Sequence, residues 1–149
     1  MGSRDLSVDD ALTDDHVRLD GLFRNLRRSV ENRDPGSEAV RKEFEGRLLR
    51  HMTWEEETLF PALRAADGRY PGKKIESLVI DHARIRERLQ DLASDIGATE
   101  WSGANRSVED LWVLLEGHNR DEEKGVYTDA DRLISEPERQ ALLALWRAF

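Results

Sequence analysis

The chain has 149 residues and four histidines, and all four histidines fall into two copies of one pattern. Asp15-His16-x-x-Leu19 returns 66 residues later as Asp81-His82-x-x-Ile85, and His51-x-x-x-Glu55-Glu56-x-x-Leu59-Phe60 returns 67 residues later as His118-x-x-x-Glu122-Glu123-x-x-Val126-Tyr127. Residues four apart share one face of a helix, so each copy offers two imidazoles and a carboxylate to a common interior. Nitrogen and oxygen donors without sulfur suit iron, manganese or zinc. Cysteine is absent, which removes cysteine-based zinc sites, iron–sulfur clusters and thiol nucleophiles.

The elements that must position these residues are marked by turn signals at Asp34-Pro35-Gly36, at Gly68 to Gly72 and at Gly97 to Asn105. Between them the spacing predicts helices over about 13–32, 37–66, 73–96 and 107–127. Thr13, Ser37 and Ser107 are the expected N-caps, and Ser107-x-x-Asp110 is a variant of the capping box. A short fifth helix is expected from Ser135-Glu136-Pro137-Glu138 onward. No run alternates with the period of a strand. The reading is an all-α, up-down-up-down four-helix bundle with a short C-terminal fifth helix and a pseudo-twofold internal repeat. Its expected parts are an N-terminal extension over 1–12, the bundle over 13–134 and a C-terminal helix over 135–149 that packs on the bundle.

Each helix carries an apolar stripe at spacings of three and four, and six ionisable residues interrupt those stripes: His16, His51, Glu55, His82, His118 and Glu122. Burying an unpaired charge costs several kcal/mol or neutralises the group, so all six need partners. A polar network in which each Glu meets a His would serve. A single zinc would leave two carboxylates unexplained, whereas two bridging carboxylates with two imidazoles per metal fit a dinuclear iron centre best.

The helix pattern Asp-His-x-x-Leu, then His51-x-x-x-Glu55-Glu56-x-x-Leu59-Phe60-Pro61, then Asp81-His82 and His118-x-x-x-Glu122-Glu123, resembles the hemerythrin-like, or HHE cation-binding, family over about residues 12–134. That resemblance implies a non-haem di-iron site, with His16 and His51 on one iron, His82 and His118 on the other, Glu55 and Glu122 bridging, and a solvent-derived oxo or hydroxo bridge. Oxygen carriers of the family use a fifth histidine one turn away on the third helix. Here Leu78 and Arg86 stand four before and four after His82, and neither has a lone pair to offer. The expected function is binding of dioxygen or a related small ligand for sensing, storage or carriage. The alternatives are a di-iron enzyme acting on peroxide, oxygen or nitric oxide, or iron handling.

Lesser expectations attach to neighbouring residues. Asp15 and Asp81 can orient an adjacent imidazole, since a ligating histidine gives its second N–H to a carboxylate or carbonyl. Glu56 and Glu123 point about 140° from the preceding histidine and read as solvated or supporting acids rather than ligands. Trp54 and Trp112 read as packing beside the site, Tyr127 as a structural counterpart of Phe60, and Gly125 as a local break. A net charge of −8 disfavours nucleic acid and anionic membranes as partners. No apolar stretch approaches the ~20 residues that span a bilayer, and the first residues lack a secretory signal, so a cytoplasmic protein, monomeric or weakly dimeric, is expected.

Overall fold

Seven α-helices and two π-helical segments make up a computed structural model that describes residues 7–148; residues 1–6, part of the expected N-terminal extension, and Phe149 lie outside it. The helices are α1 (Val8–Glu31), α2 (Ser37–Trp54), α3 (Phe60–Ala66), α4 (Gly72–Gly97), α5 (Trp101–Asp121), α6 (Tyr127–Leu133) and α7 (Glu136–Ala148). Segments Glu55–Leu59 and Glu122–Val126 are π-helical and join α2 to α3 and α5 to α6 without a break. Among the described residues there is no strand.

The expected cap at Thr13 does not form, because α1 starts earlier. Ser7 caps it, its side chain accepting from Asp10 N at 2.9 Å, while Thr13 Oγ1 donates to Asp9 within the helix. The added turn buries Val8 and Leu12 completely, each contributing about 1.5–3 kcal/mol by its removal from water. Asp131 of α6 accepts from the backbone N–H groups of Val8 at 2.8 Å and Asp9 at 3.0 Å, so two orphan donors of the helix start are also satisfied. Ser37 is the first residue of α2 rather than its cap, which is Gly36.

Helix α5 likewise begins before its expected cap. It starts at Trp101, and Ser107 lies buried inside it, so the expected Gly97–Asn105 turn shrinks to residues 98–100. Gly103 permits this: a Cβ there would meet Asp95 Oδ2 of α4 at 2.7 Å, and only glycine lets the two helices approach so closely. Helices α1 and α4 end in the same way. Arg33 and Thr99 adopt left-handed φ of 49° and 54°, Asp34 N donates to Ser29 O at 2.9 Å, and Glu100 N donates to Asp95 O at 2.8 Å. Each non-glycine left-handed residue costs about 1–2 kcal/mol, offset by the terminal carbonyls it satisfies.

Two apolar clusters form, and the four histidines mark their boundary. One holds Leu12, Trp54, Phe60, Leu63, Leu78, Val126 and Tyr127. The other holds Leu19, Phe23, Leu48, Met52, Ile85, Leu89, Leu111 and Leu115. Thus His16 falls between Leu12 and Leu19, His51 between Leu48 and Trp54, His82 between Leu78 and Ile85, and His118 between Leu115 and Val126. Helix α7 closes the first cluster, as expected of a C-terminal helix that packs on the rest of the chain. Its Trp146 lies 5.3 Å from Trp54 and 5.5 Å from His51 between ring centres, and Arg50 both covers the Trp146 ring and donates to its carbonyl at 2.8 Å.

Candidate metal centre

Each of the four histidines is buried, and each has its Nδ1 facing a carboxylate from a different helical run. His51 Nδ1 lies 2.8 Å from Asp15 and His82 Nδ1 2.8 Å from Glu56. His16 Nδ1 lies 3.1 Å from Glu123 and His118 Nδ1 3.1 Å from Asp81. An ionised carboxylate only accepts, so each Nδ1 carries the proton and donates it. That fixes all four rings and leaves every Nε2 as a lone pair turned inward.

The inward atoms converge. Glu55 and Glu122 are 0% exposed. Glu122 Oε1 lies 3.3 Å from His16 Nε2 and 3.2 Å from His118 Nε2. The two oxygens of Glu55 divide between halves, Oε2 at 3.5 Å from His51 Nε2 and Oε1 at 3.2 Å from His82 Nε2. Two sets of donor atoms, Glu55, His82, His118 and Glu122, and His16, His51 and Glu122, each lie within 4.8 Å of one another.

As a purely protein network this arrangement is poorly satisfied. The Nε2 atoms of His82 and His118 face each other at 3.1 Å, two lone pairs with no proton to share in the neutral rings. Glu55 Oε1 and Glu122 Oε2 are buried without a hydrogen bond, and an orphaned buried acceptor costs about 1–3 kcal/mol. Either protons or a cation must fill the gap, and the donor set fits a cation. Without one the cluster holds protons. Burial pushes the His51 imidazolium pKa down, but Glu55 and Asp15 outweigh it and raise the value to about 10. Burial likewise opposes His118, yet Glu122 and Asp81 lift it to about 10. Burial raises the Glu122 carboxyl, but His118 beside it holds it well below the usual range.

A residue assigned to packing by sequence sits at the middle of the site. The Tyr127 hydroxyl lies 2.7 Å from Glu55 Oε2, 3.1 Å from Glu122 Oε1, 3.0 Å from His51 Nε2 and 3.1 Å from His16 Nε2. Burial, then the charges of Glu122 and Glu55, drive its pKa well above the ordinary phenol value. The π segment puts it there: in that wider turn Tyr127 N bonds back to Glu122 O, five residues earlier. Gly125, expected to mark a local break, lies within that segment. Phe60 occupies the matching place after the first π segment and stacks on His82 at 6.1 Å.

Around these groups lies a second layer that differs between halves. Arg47 donates to Asp15 at 2.8 and 3.1 Å, and Arg86 grips Glu56 with two bonds of 2.8 and 3.1 Å. The residue four after His16 is Asp20 where the residue four after His82 is Arg86. Burial raises the Asp20 pKa, and Glu123 adds to the effect while His16 and Arg24 oppose it. A cavity of about 250 Å³ opens here, lined by His16, Asp20, Phe23, Phe44, Trp112 and Glu123 among others. Trp112 stacks on Phe23 at 5.5 Å, and Trp54 packs against Trp146, so neither tryptophan touches the inward atoms.

Compared with known families, the chain matches the hemerythrin HHE cation binding domain over residues 7–130. No curated protein and no solved structure gave a significant match. Among the described residues, no helix is long and apolar enough to cross a membrane.

Proposed function

The chain belongs to the hemerythrin HHE cation-binding family, and from that premise we propose that it is a di-iron protein that binds dioxygen or a related small ligand for sensing, storage or carriage. His16 and His51 hold one ion, His82 and His118 the other, and Glu55 and Glu122 are shared. One observation carries this reading: four rings locked by carboxylates at Nδ1 turn four lone pairs and two fully buried acids toward one spot. When bound, a ferrous pair supplies one electron from each ion to a small oxidant. The protein's part is to hold the donors in place, and Trp54, Trp146 and Phe60 keep bulk water from one end of the site.

The wider arrangement is read as an up-down-up-down bundle over 13–134 with α7 docked on it and its two halves related by a pseudo-twofold repeat. The support is the matched helix closures at Arg33 and Thr99 and the matched pairs Asp15–His51 and Asp81–His118. A second reading, redox turnover of peroxide or oxygen, is favoured by the cavity at His16, where Asp20 and Glu123 are acids able to hold a proton beside an approach from solvent. Metal analysis with an absorption spectrum tests the main reading. Two irons per chain, with charge-transfer absorption in the ferric form and reversible oxygen uptake in the ferrous form, is the expected result. One zinc and no iron would remove the dinuclear reading, and oxygen evolution from peroxide would shift the function to the second.

A further inference from the structure

We infer that Tyr127 is itself a metal ligand, the fifth protein donor on the His16/His51 side, so that the two cation positions are chemically unequal. The inference rests on the two-ion reading above and adds to it a residue that lies outside the histidine and glutamate pattern. The hydroxyl has one proton to give, yet it stands 2.7–3.1 Å from four acceptor atoms, two imidazole nitrogens and two carboxylate oxygens. It therefore fills the place that a cation shared by His16, His51 and Glu122 would take. A cation settling among those donors displaces the oxygen by about a bond length. The ring cannot carry it far, because Tyr127 is 0% exposed and packed among Leu12, Leu63 and Val126. The oxygen remains beside the ion, as a phenolate whose proton leaves to solvent.

The other half has no such donor. Phe60 stands at the matching position with a ring that only stacks on His82, and Leu78 and Arg86 flank His82 along α4. The open coordination position is thereby assigned to the His82/His118 side.

The chain has two tyrosines, and Tyr70 is engaged elsewhere, donating to Asp129 at 2.7 Å, so a tyrosinate signal is readable. The test loads the full chain with iron, oxidises it, counts the metal, and records visible absorption and resonance Raman spectra of wild type, Tyr127→Phe and Tyr70→Phe. A tyrosinate-to-ferric band with enhanced phenolate ring modes is expected in wild type and Tyr70→Phe. It is expected to vanish in Tyr127→Phe, together with at least about ten-fold weaker binding of one of the two ions. Two irons bound to wild type with no phenolate modes would overturn the inference and leave the two-ion reading intact. No metal bound would overturn both. Should Tyr127→Phe fail to fold, zinc titration of the wild type decides the question: an ultraviolet difference spectrum of one tyrosinate per chain supports the ligand, and its absence at saturating zinc refutes it.

Discussion

The His16/His51 half and the His82/His118 half use the same donors on the same helical frame, but their surroundings are opposed. On the first side the site meets Tyr127, the Asp20–Glu123 pair of acids and a cavity of about 250 Å³. On the second it meets the Phe60 ring and a guanidinium, Arg86, that clamps Glu56 with two bonds. Arg47 clamps the opposite acid, Asp15, whereas Leu114 stands 67 residues on from Arg47 and cannot clamp Asp81. A repeated ligand frame thus fixes where ions sit, and the residues that break the repeat decide how each ion behaves.

The contrast can be broken most sharply at the shared acids. Glu122→Ala removes an oxygen that reaches both His16 and His118, and is expected to drop the iron content from two to one or fewer per chain, while His16→Ala costs only one ion. Equal losses in the two variants, by metal analysis, would mean that the halves do not act separately. Chelation comes next. Binding contributes about 4 kcal/mol when free metal exceeds Kd a thousandfold, and 1 kcal/mol moves Tm by about 2–4 °C in a larger domain or more in a small one. The metal-free protein is therefore expected to melt roughly 10 °C lower by calorimetry; an unchanged Tm would show that protons satisfy the cluster as well as ions do.

Smaller effects separate the second layers. Arg86→Ala frees Glu56 and is expected to weaken the His82/His118 ion by about 10–100-fold, as loss of supporting partners usually does, with Arg47→Ala weakening the other ion instead. Titrations in which both variants weaken the same ion would contradict the division. The mildest change is Asp20→Arg, which copies the second half into the first. It is expected to pair with Glu123, narrow the cavity and slow azide binding to the ferric protein several-fold, with little change in Tm. Azide rates equal to wild type would show that small ligands arrive by another path.

Much of this site was legible because its donors obey the helical period: His51 with Glu55 and His118 with Glu122 lie four apart, and the single histidines of α1 and α4 fall on apolar stripes. The supporting acids were half legible. Asp15 and Asp81 orient rings as expected, though on the following helix rather than their own. Glu56 and Glu123, set off the ligand face by their phase, reach sideways to the rings of His82 and His16. Tyr127 was not legible, because five residues after Glu122 a regular α-helix points elsewhere, and the π turn that corrects the phase leaves only Gly125 as a trace. The start of α1 was missed for a different reason: Thr13 looks like a cap, and what outweighs it is the distant Asp131, invisible to local pattern.

The two π turns also bear on how such a chain can change. Each accommodates one residue beyond regular winding, so losing a single residue from 122–126 would restore the ordinary pitch and swing all that follows by about 100°. Tyr127 would leave the centre, although no donor upstream had been altered. Insertion and deletion at these turns, as much as substitution, is then a route by which descendants of one scaffold acquire different chemistries.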